Sequence, residues 1–198
     1  MLLNEKLKNF HVILASGSPR RREILKILDF DFEVKTKETE EIYPKELPAE
    51  KVSEYLAELK AKAFENEVTN DEKLIVITSD TTVVIDGRII GKPKDRQGAI
   101  EMLQTLSGKK HTVYSGVCIK SKRKTVTFTA STDVWFKELS DEEIIFYVDK
   151  YKPFDKAGAY AVQEWIGAAA ISRIEGSYYN VMGLPSKMLY TELEKFAD

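Results

Sequence analysis

The sequence predicts an α/β fold with a mixed β-sheet and flanking helices. Short apolar, strand-like runs alternate with helix-like runs along the chain. A two-residue turn, Asp86-Gly87, joins two apolar stretches and inserts an antiparallel pair into that alternation. No internal repeat or low-complexity linker divides the 198 residues, so 1–198 reads as a single domain with one core.

The elements follow in order. "VILA" (12–15) is short, apolar and bounded by Ser-Gly, which makes it a buried strand. "RRREILKILDF" then places Ile24, Leu25 and Leu28 at helical spacing. "FEV" is a candidate second strand, followed by an acidic loop with Glu38, Glu40 and Glu41. Pro48 opens an amphipathic helix whose apolar stripe is Val52, Leu56, Leu59 and Ala63. "KLIVITSD" is the most apolar strand, as a central position covered on both faces requires, and it is expected to end at Asp80. "TTVVIDGRIIG" forms the hairpin. After Lys92-Pro93, the residues Ala99, Met102, Leu103 and Leu106 mark another helix.

Two longer strands come next, "HTVYSGVCI" and "KTVTFTASTDVWFKEL". In the second, Val126, Phe128, Ala130, Val134 and Phe136 share a face, with Thr132 interrupting it. Ser140 with Glu143 three residues on is a capping box that opens "SDEEIIFYVDKY". The last third reads as short strands with Gly-rich turns, and Pro185 begins a terminal helix.

Composition narrows the function. Thirty basic against 32 acidic residues leave a net charge of -2, so no chain-wide electrostatic footprint favours nucleic acid or an anionic membrane; any anion site is local. The apolar runs are too short to span a bilayer and "MLLNEKLKNF" lacks the pattern of a signal peptide, so the expected location is the cytoplasm. Cys118, the one cysteine, sits in a strand-like run and reads as a small buried residue. His11 and His111, the two histidines, do not suggest a zinc site; a metal would be held by oxygen ligands.

Four places stand out chemically. In "LASGSPRRREIL", Ser18 and Pro19 are an ordinary helix start. Arg20, Arg21 and Arg22 are not, because a helix N-terminus is already partially positive. A phosphate on the helix end, approached closely past Ser16 and Gly17, is one reading, and a solvated basic turn is the other. Lys60 lies on or beside the apolar stripe of its helix; it either snorkels or aims its amine into a cleft. Asp80, at the expected strand end, is either a ligand-handling carboxylate or a turn residue capping Thr81 or Thr82. Lys92 follows within a dozen residues, and alone would be called surface. Together, Arg20, Arg21, Lys60 and Lys92 offer cations to a polyphosphate, while Asp80 and the acidic-loop glutamates offer oxygens to Mg²⁺. No Walker pattern is present.

These stretches, in this order, resemble the Maf family of nucleotide pyrophosphatases over nearly the whole chain. The matching pieces are "LASGSPRRREIL", the "EE" of the acidic loop, "ELKAKA", "SDTTVVIDG", "GKP", "LSGKKHTVYSGV", "LSDEEIIFYV", "DKAGAYAVQ" and "IEGSYYNVMGLP". The resemblance implies a two-lobed α/β fold with a mixed sheet around a deep cleft, related to the inosine triphosphate pyrophosphatase fold. It implies hydrolysis of a nucleoside triphosphate between the α and β phosphates, with a divalent metal, Mg²⁺ or Mn²⁺, and a homodimer. Asp80 corresponds to the general base or metal-linked carboxylate. Glu41 corresponds to the acidic-loop metal ligand, with Glu40 as a rival because Ile42-Tyr43-Pro44 shifts the motif. Ser16, Arg20, Lys60 and Lys92 fall at phosphate-side positions.

In the branch acting on dTTP and UTP the base-preference positions correspond to Arg21, Thr81 and Gln163, and all three match. An amide such as Gln163 can both give and accept a hydrogen bond at the imide edge of uracil or thymine, although a polar strand residue would look the same. The 7-methylguanosine triphosphate branch has an aromatic residue where this chain has Arg20. Glu164 replaces a glycine usual after the glutamine, which would strain the chain if that position needs a positive φ. Asp155 and Lys156 are expected to pair and position the Gly158 turn, and Tyr178, Tyr179 and Asn180 either to line the cleft or to pack. Two other readings remain: a nucleotide-binding regulator of septation with incidental catalysis, and a purine pyrophosphatase acting on ITP or XTP.

Overall fold

The structure, a computed structural model, describes residues 1–197. In chain order it comprises α1 (Leu3–Leu7), β1 (His11–Leu14), α2 (Pro19–Ile27), β2 (Glu33–Val34), α3 (Ala49–Lys62), α4 (Glu65–Asn70), β3 (Leu74–Ile85) and β4 (Arg88–Ile90). There follow α5 (Arg96–Leu106), β5 (Lys110–Lys120), β6 (Thr125–Phe136), α6 (Asp141–Tyr151), a 3₁₀ turn (Ala157–Ala159), α7 (Trp165–Ala170), β7 (Ile171–Glu175), α8 (Tyr178–Met182) and α9 (Ser186–Phe196). The strands hydrogen-bond in the order β2-β1-β3-β5-β6-β7, with β4 on β3. The β1–β2 and β1–β3 pairs are parallel, and β3–β4 and β6–β7 are antiparallel, so the sheet is mixed as predicted.

The chain forms two compact units. The first comprises Met1–Asp80, Ser115–Ala130 and residues 183–197; the second comprises Thr81–Tyr114 and Ser131–Met182.

In the first unit, β1 and the start of β3 are apolar on both faces, and Ile13, Phe64, Val68, Leu74 and Val76 pack together. Helix α3 departs from the expected stripe. Val52 and Leu56 are buried, but the covered face is completed by Ser53, Ala57 and Ala61, and Leu59 and Ala63 are only half-buried. The cause is close packing. A Cβ at Gly116 of β5 would overlap the backbone of Ser53 and Glu54, so helix and strand approach through small residues rather than leucines. Thr78 on β3 adds a hydrogen bond, its Oγ1 donating to the Ala57 carbonyl at 2.7 Å. These contacts orient the helix turn that carries Lys60.

Strand β3 does not end at Asp80. It continues through Thr81-Thr82-Val83-Val84-Ile85 and turns only at Asp86 (φ 49°) and Gly87 (φ 73°), where Ile85 pairs with Arg88. The physical reason is legible in retrospect: five β-branched residues follow Asp80, and no Gly or Pro precedes Asp86-Gly87 to break the strand. The predicted hairpin stands, while the predicted strand end does not.

In the second unit Val83, Leu103, Val134, Phe136, Ile144 and Tyr147 meet in a core. The Ser140–Glu143 capping box is present at α6. Thr132, the interruption on the apolar face of β6, is buried; its Oγ1 accepts from the Ser177 amide at 3.0 Å and from Asn180 Nδ2 at 2.9 Å. The last third differs from the expectation of short strands. Among the described residues β7 is the one strand there, and the rest is helices and turns, because the "GAAA" run (167–170) carries alanines that favour helix over sheet.

Candidate active site

The first unit assembles much of the predicted site. Ser18 caps α2, its side chain accepting from the Arg21 amide, and Pro19 is the first helical residue. The first turn of α2 contains no acidic residue. Arg22 is exposed and Arg20 half-buried. Arg21 turns inward: its Nε donates to the Gly183 carbonyl at 2.8 Å, and its Nη1 donates to the Ser79 carbonyl at 2.7 Å and to Ser16 Oγ at 3.3 Å. Burial is the first cause that lowers its pKa from the ordinary arginine value; Asp80 and Glu41 oppose that shift and Arg20 adds to it. The guanidinium therefore lies within the electrostatic reach of all three residues, and it holds the Ser16 loop against β3.

The decisive contact is made by Lys60. Its Nζ lies 2.6 Å from Asp80 Oδ1 and 2.8 Å from Glu41 Oε1, with the lysine side chain 18% exposed and that of Asp80 13%. Lys60 is thus neither snorkelling nor solvated; it joins α3, β3 and the acidic loop at one point. Glu41 is the acidic-loop residue placed at this ammonium, which distinguishes it from Glu40. Asp80 is buried at mid-strand rather than capping a turn.

The same geometry bears on a metal. Among the described residues there is no cluster of three or more His, Cys, Asp and Glu side chains able to hold an ion. A closed protein cage for zinc or calcium is therefore absent from them. Two carboxylates meeting at one cation do fit Mg²⁺ or Mn²⁺, which take one or two protein carboxylates and complete their shell with water and phosphate oxygens.

The remaining predicted residues belong to the second unit. Thr81 follows Asp80 in β3 and is half-buried. Lys92 is exposed, in the segment between β4 and α5. Gln163 is exposed in the turn before α7, not in a strand, and it lines an open pocket of about 510 Å³ with Gly167, Ser172, Arg173 and Tyr178. Glu164 has φ -95° and ψ 179°, so replacing the usual glycine causes no backbone strain. Asn180 is fully buried, donating to the Val113 carbonyl at 3.1 Å, whereas Tyr178 and Tyr179, 43% and 36% exposed, meet edge-on and Tyr178 lines the Gln163 pocket.

The Maf-like protein family matches residues 11–196. The chain belongs to the Maf family. It is 50% identical over 195 residues to a dTTP/UTP pyrophosphatase of Porphyromonas gingivalis, covering 98% of each chain. It is 49% identical to the protein of that name from Flavobacterium johnsoniae, covering 97% of this chain and 98% of the relative, and 48% identical to that of Bacteroides thetaiotaomicron, covering 96% and 97%. Among solved structures, the Ham1 protein of Staphylococcus aureus aligns with a TM-score of 0.55 at 18% identity, covering 94% of this chain and 99% of that one; the likeness is one of fold. This Maf protein thus has the mixed-sheet α/β fold that its motifs implied.

Sequence reasoning missed two features of the site. The run Thr78-Ser79-Asp80-Thr81-Thr82 is a polar band inside an otherwise apolar 12-residue strand, a signal present in the sequence. The expected Asp155–Lys156 pair is present, but the bonds of Glu164 to Tyr147 and Lys156 have no local sequence signal, because those partners lie on α6 and on a neighbouring turn.

Proposed function

We propose that this Maf protein is a nucleoside triphosphate pyrophosphatase that hydrolyses dTTP and UTP to the monophosphate and pyrophosphate. The observation that carries the reaction is the Lys60 ammonium shared by Asp80 and Glu41. The three relatives named dTTP/UTP pyrophosphatase, at 48–50% identity over nearly full length, support the choice of base.

In this reading Asp80 accepts the proton of the attacking water, and Lys60 orients Asp80 through its short hydrogen bond. Ser16 and Arg20, at the start of α2, bind phosphate oxygens; the basic first turn has its charge matched by the substrate. Lys92 supplies further positive charge to the phosphates. Arg21, which also sets the position of Ser16, serves base choice with Thr81 and Gln163. Asp80 and Glu41 would hold Mg²⁺ or Mn²⁺, which when bound neutralises charge on the phosphoanhydride. A homodimer acting on free nucleotides in the cytoplasm belongs to the same proposal. The net charge of -2 supports a free nucleotide rather than nucleic acid as partner, and sedimentation analysis tests the dimer.

The test is a nucleotide panel with pyrophosphate detection, run on the wild type and Asp80→Asn. We expect pyrophosphate from dTTP and UTP with Mg²⁺ or Mn²⁺, and a loss of about a thousandfold or more in Asp80→Asn. Release of orthophosphate and diphosphate instead would overturn the α–β cleavage assignment.

A further inference from the structure

The second unit contains a partly buried polar cluster that the reaction scheme above does not use. Lys156, 8% exposed, places its Nζ 2.7 Å from Asp155 Oδ1 and 3.5 Å from Glu164 Oε1. The other oxygen of Glu164 accepts a hydrogen bond from the Tyr147 hydroxyl. Tyr147 is fully buried on α6, and its hydroxyl oxygen in turn accepts from the Ala161 amide at 3.2 Å. Backbone bonds lock the same stretch: the Glu164 amide donates to the Ala161 carbonyl at 3.1 Å and the Gly167 amide to the Glu164 carbonyl at 3.0 Å. Gln163 lies between two residues held in this way.

The cluster also reaches the Lys92 segment. The Gly158 amide donates to the Gly91 carbonyl at 3.0 Å, the Ala159 amide donates to the Lys156 carbonyl at 3.1 Å, and Gly158 takes φ 69°. Lys156, which Glu164 anchors, therefore begins a turn whose Gly158 amide grips the backbone immediately before Lys92. The buried Lys156 ammonium is costly to leave without a partner, so the cluster favours the arrangement in which Asp155 and Glu164 meet it.

We propose that Lys156, Glu164 and Tyr147 form a positioning device that sets Gln163 and the Gly91–Lys92 backbone together. Glu164 provides the link between α6 and the Gln163 turn. None of the three touches substrate; they act through Gln163 and Lys92. This inference rests on the proposed role of those two residues, and its test separates the two ideas.

Four variants carry the test: Tyr147→Phe, which deletes one hydroxyl from a packed ring; Glu164→Ala; Lys156→Met; and Glu164→Gln, which retains an oxygen for the Tyr147 hydroxyl. Two readouts are taken. First, the KM and kcat for dTTP, and the preference for dTTP over dCTP, whose base edge differs where a glutamine would read it. We expect Tyr147→Phe and Glu164→Ala to raise the dTTP KM about tenfold with kcat within about twofold, and to lower the dTTP/dCTP preference by a similar factor; Glu164→Gln retains most of the wild-type values. Second, amide hydrogen exchange. Peptides covering 158–164 and 89–95 should exchange faster in Tyr147→Phe and Lys156→Met, while those covering α2 do not change. If KM and base preference stay at wild-type values in folded Tyr147→Phe and Glu164→Ala, or if exchange at 158–164 is unaltered, the positioning role is wrong. If the wild type releases no pyrophosphate from dTTP, the functional reading fails, and the exchange arm still decides whether the cluster holds the two segments.

Discussion

Lys60 illustrates how a single side chain changes meaning once its neighbours are known. On a helical wheel it borders an apolar stripe, where the long aliphatic stem of a lysine is at home. In the folded chain its amine is bracketed by Asp80 and Glu41. Lys60→Met keeps the stem and removes the charge, so it should lower kcat/KM for dTTP by about a hundredfold while leaving the helix in place; circular dichroism and pyrophosphate release measure the two. His111 belongs to the same scale. It is buried against Phe136 and Tyr160, its Nε2 2.7 Å from the Tyr160 hydroxyl, and burial pushes its pKa down from 6.5 to about 4 despite the opposing charge of Asp133. The unfolded chain therefore binds a proton that the folded chain refuses in this window. Stability should fall as the pH drops from 6.5 to 4 by up to about 3 kcal/mol, and change no further from this group below that. Urea unfolding at pH 7, 5.5 and 4.5 checks the slope, and a His111→Phe variant should lose this part of it.

At the scale of elements, the register of α3 on β5 decides whether the site exists. The helix was legible in the sequence, from Pro48 and its apolar spacing, but the buried face was not, because it is set by Ser53, Ala57 and Ala61 meeting Gly116. Small residues carry a weak periodic signal, although they permit the closest packing. Gly116→Ala should displace α3, costing about 2–4 kcal/mol in urea unfolding, and should reduce activity as well because Lys60 moves with the helix. Strand β3 shows the opposite case. Its existence was clear from "LIVI", and its hairpin from Asp86-Gly87. The polar band at 78–82, however, resembled a strand ending in a turn, and only the pairing of Val83, Val84 and Ile85 with β4 shows that the chain runs straight on. A Thr-Ser-Asp-Thr-Thr run is equally compatible with a loop and with a strand whose Thr78 hydroxyl and Asp80 carboxylate are bonded sideways.

For the molecule as a whole, the prediction is selectivity. A panel of dTTP, UTP, dCTP, ITP and XTP should show the two uracil- and thymine-type substrates hydrolysed at least about tenfold faster in kcat/KM than the others. Faster turnover of ITP or XTP would instead favour the purine reading, and nucleotide binding without turnover across metals would favour a regulatory role.

By itself the sequence determined the alternation of strands and helices, the hairpin, the helix caps at Ser18 and Ser140, and the order of motifs that places the chain in its family. These are local or periodic properties, encoded within a few residues of where they act. The tertiary structure decided which carboxylate of the acidic loop meets Lys60, that Arg21 is spent on Ser16, Ser79 and Gly183, and that Glu164 bonds to Tyr147. Each of these joins residues far apart in sequence, and side-chain pairing across such distances depends on strand continuation and helix rotation that no local pattern records.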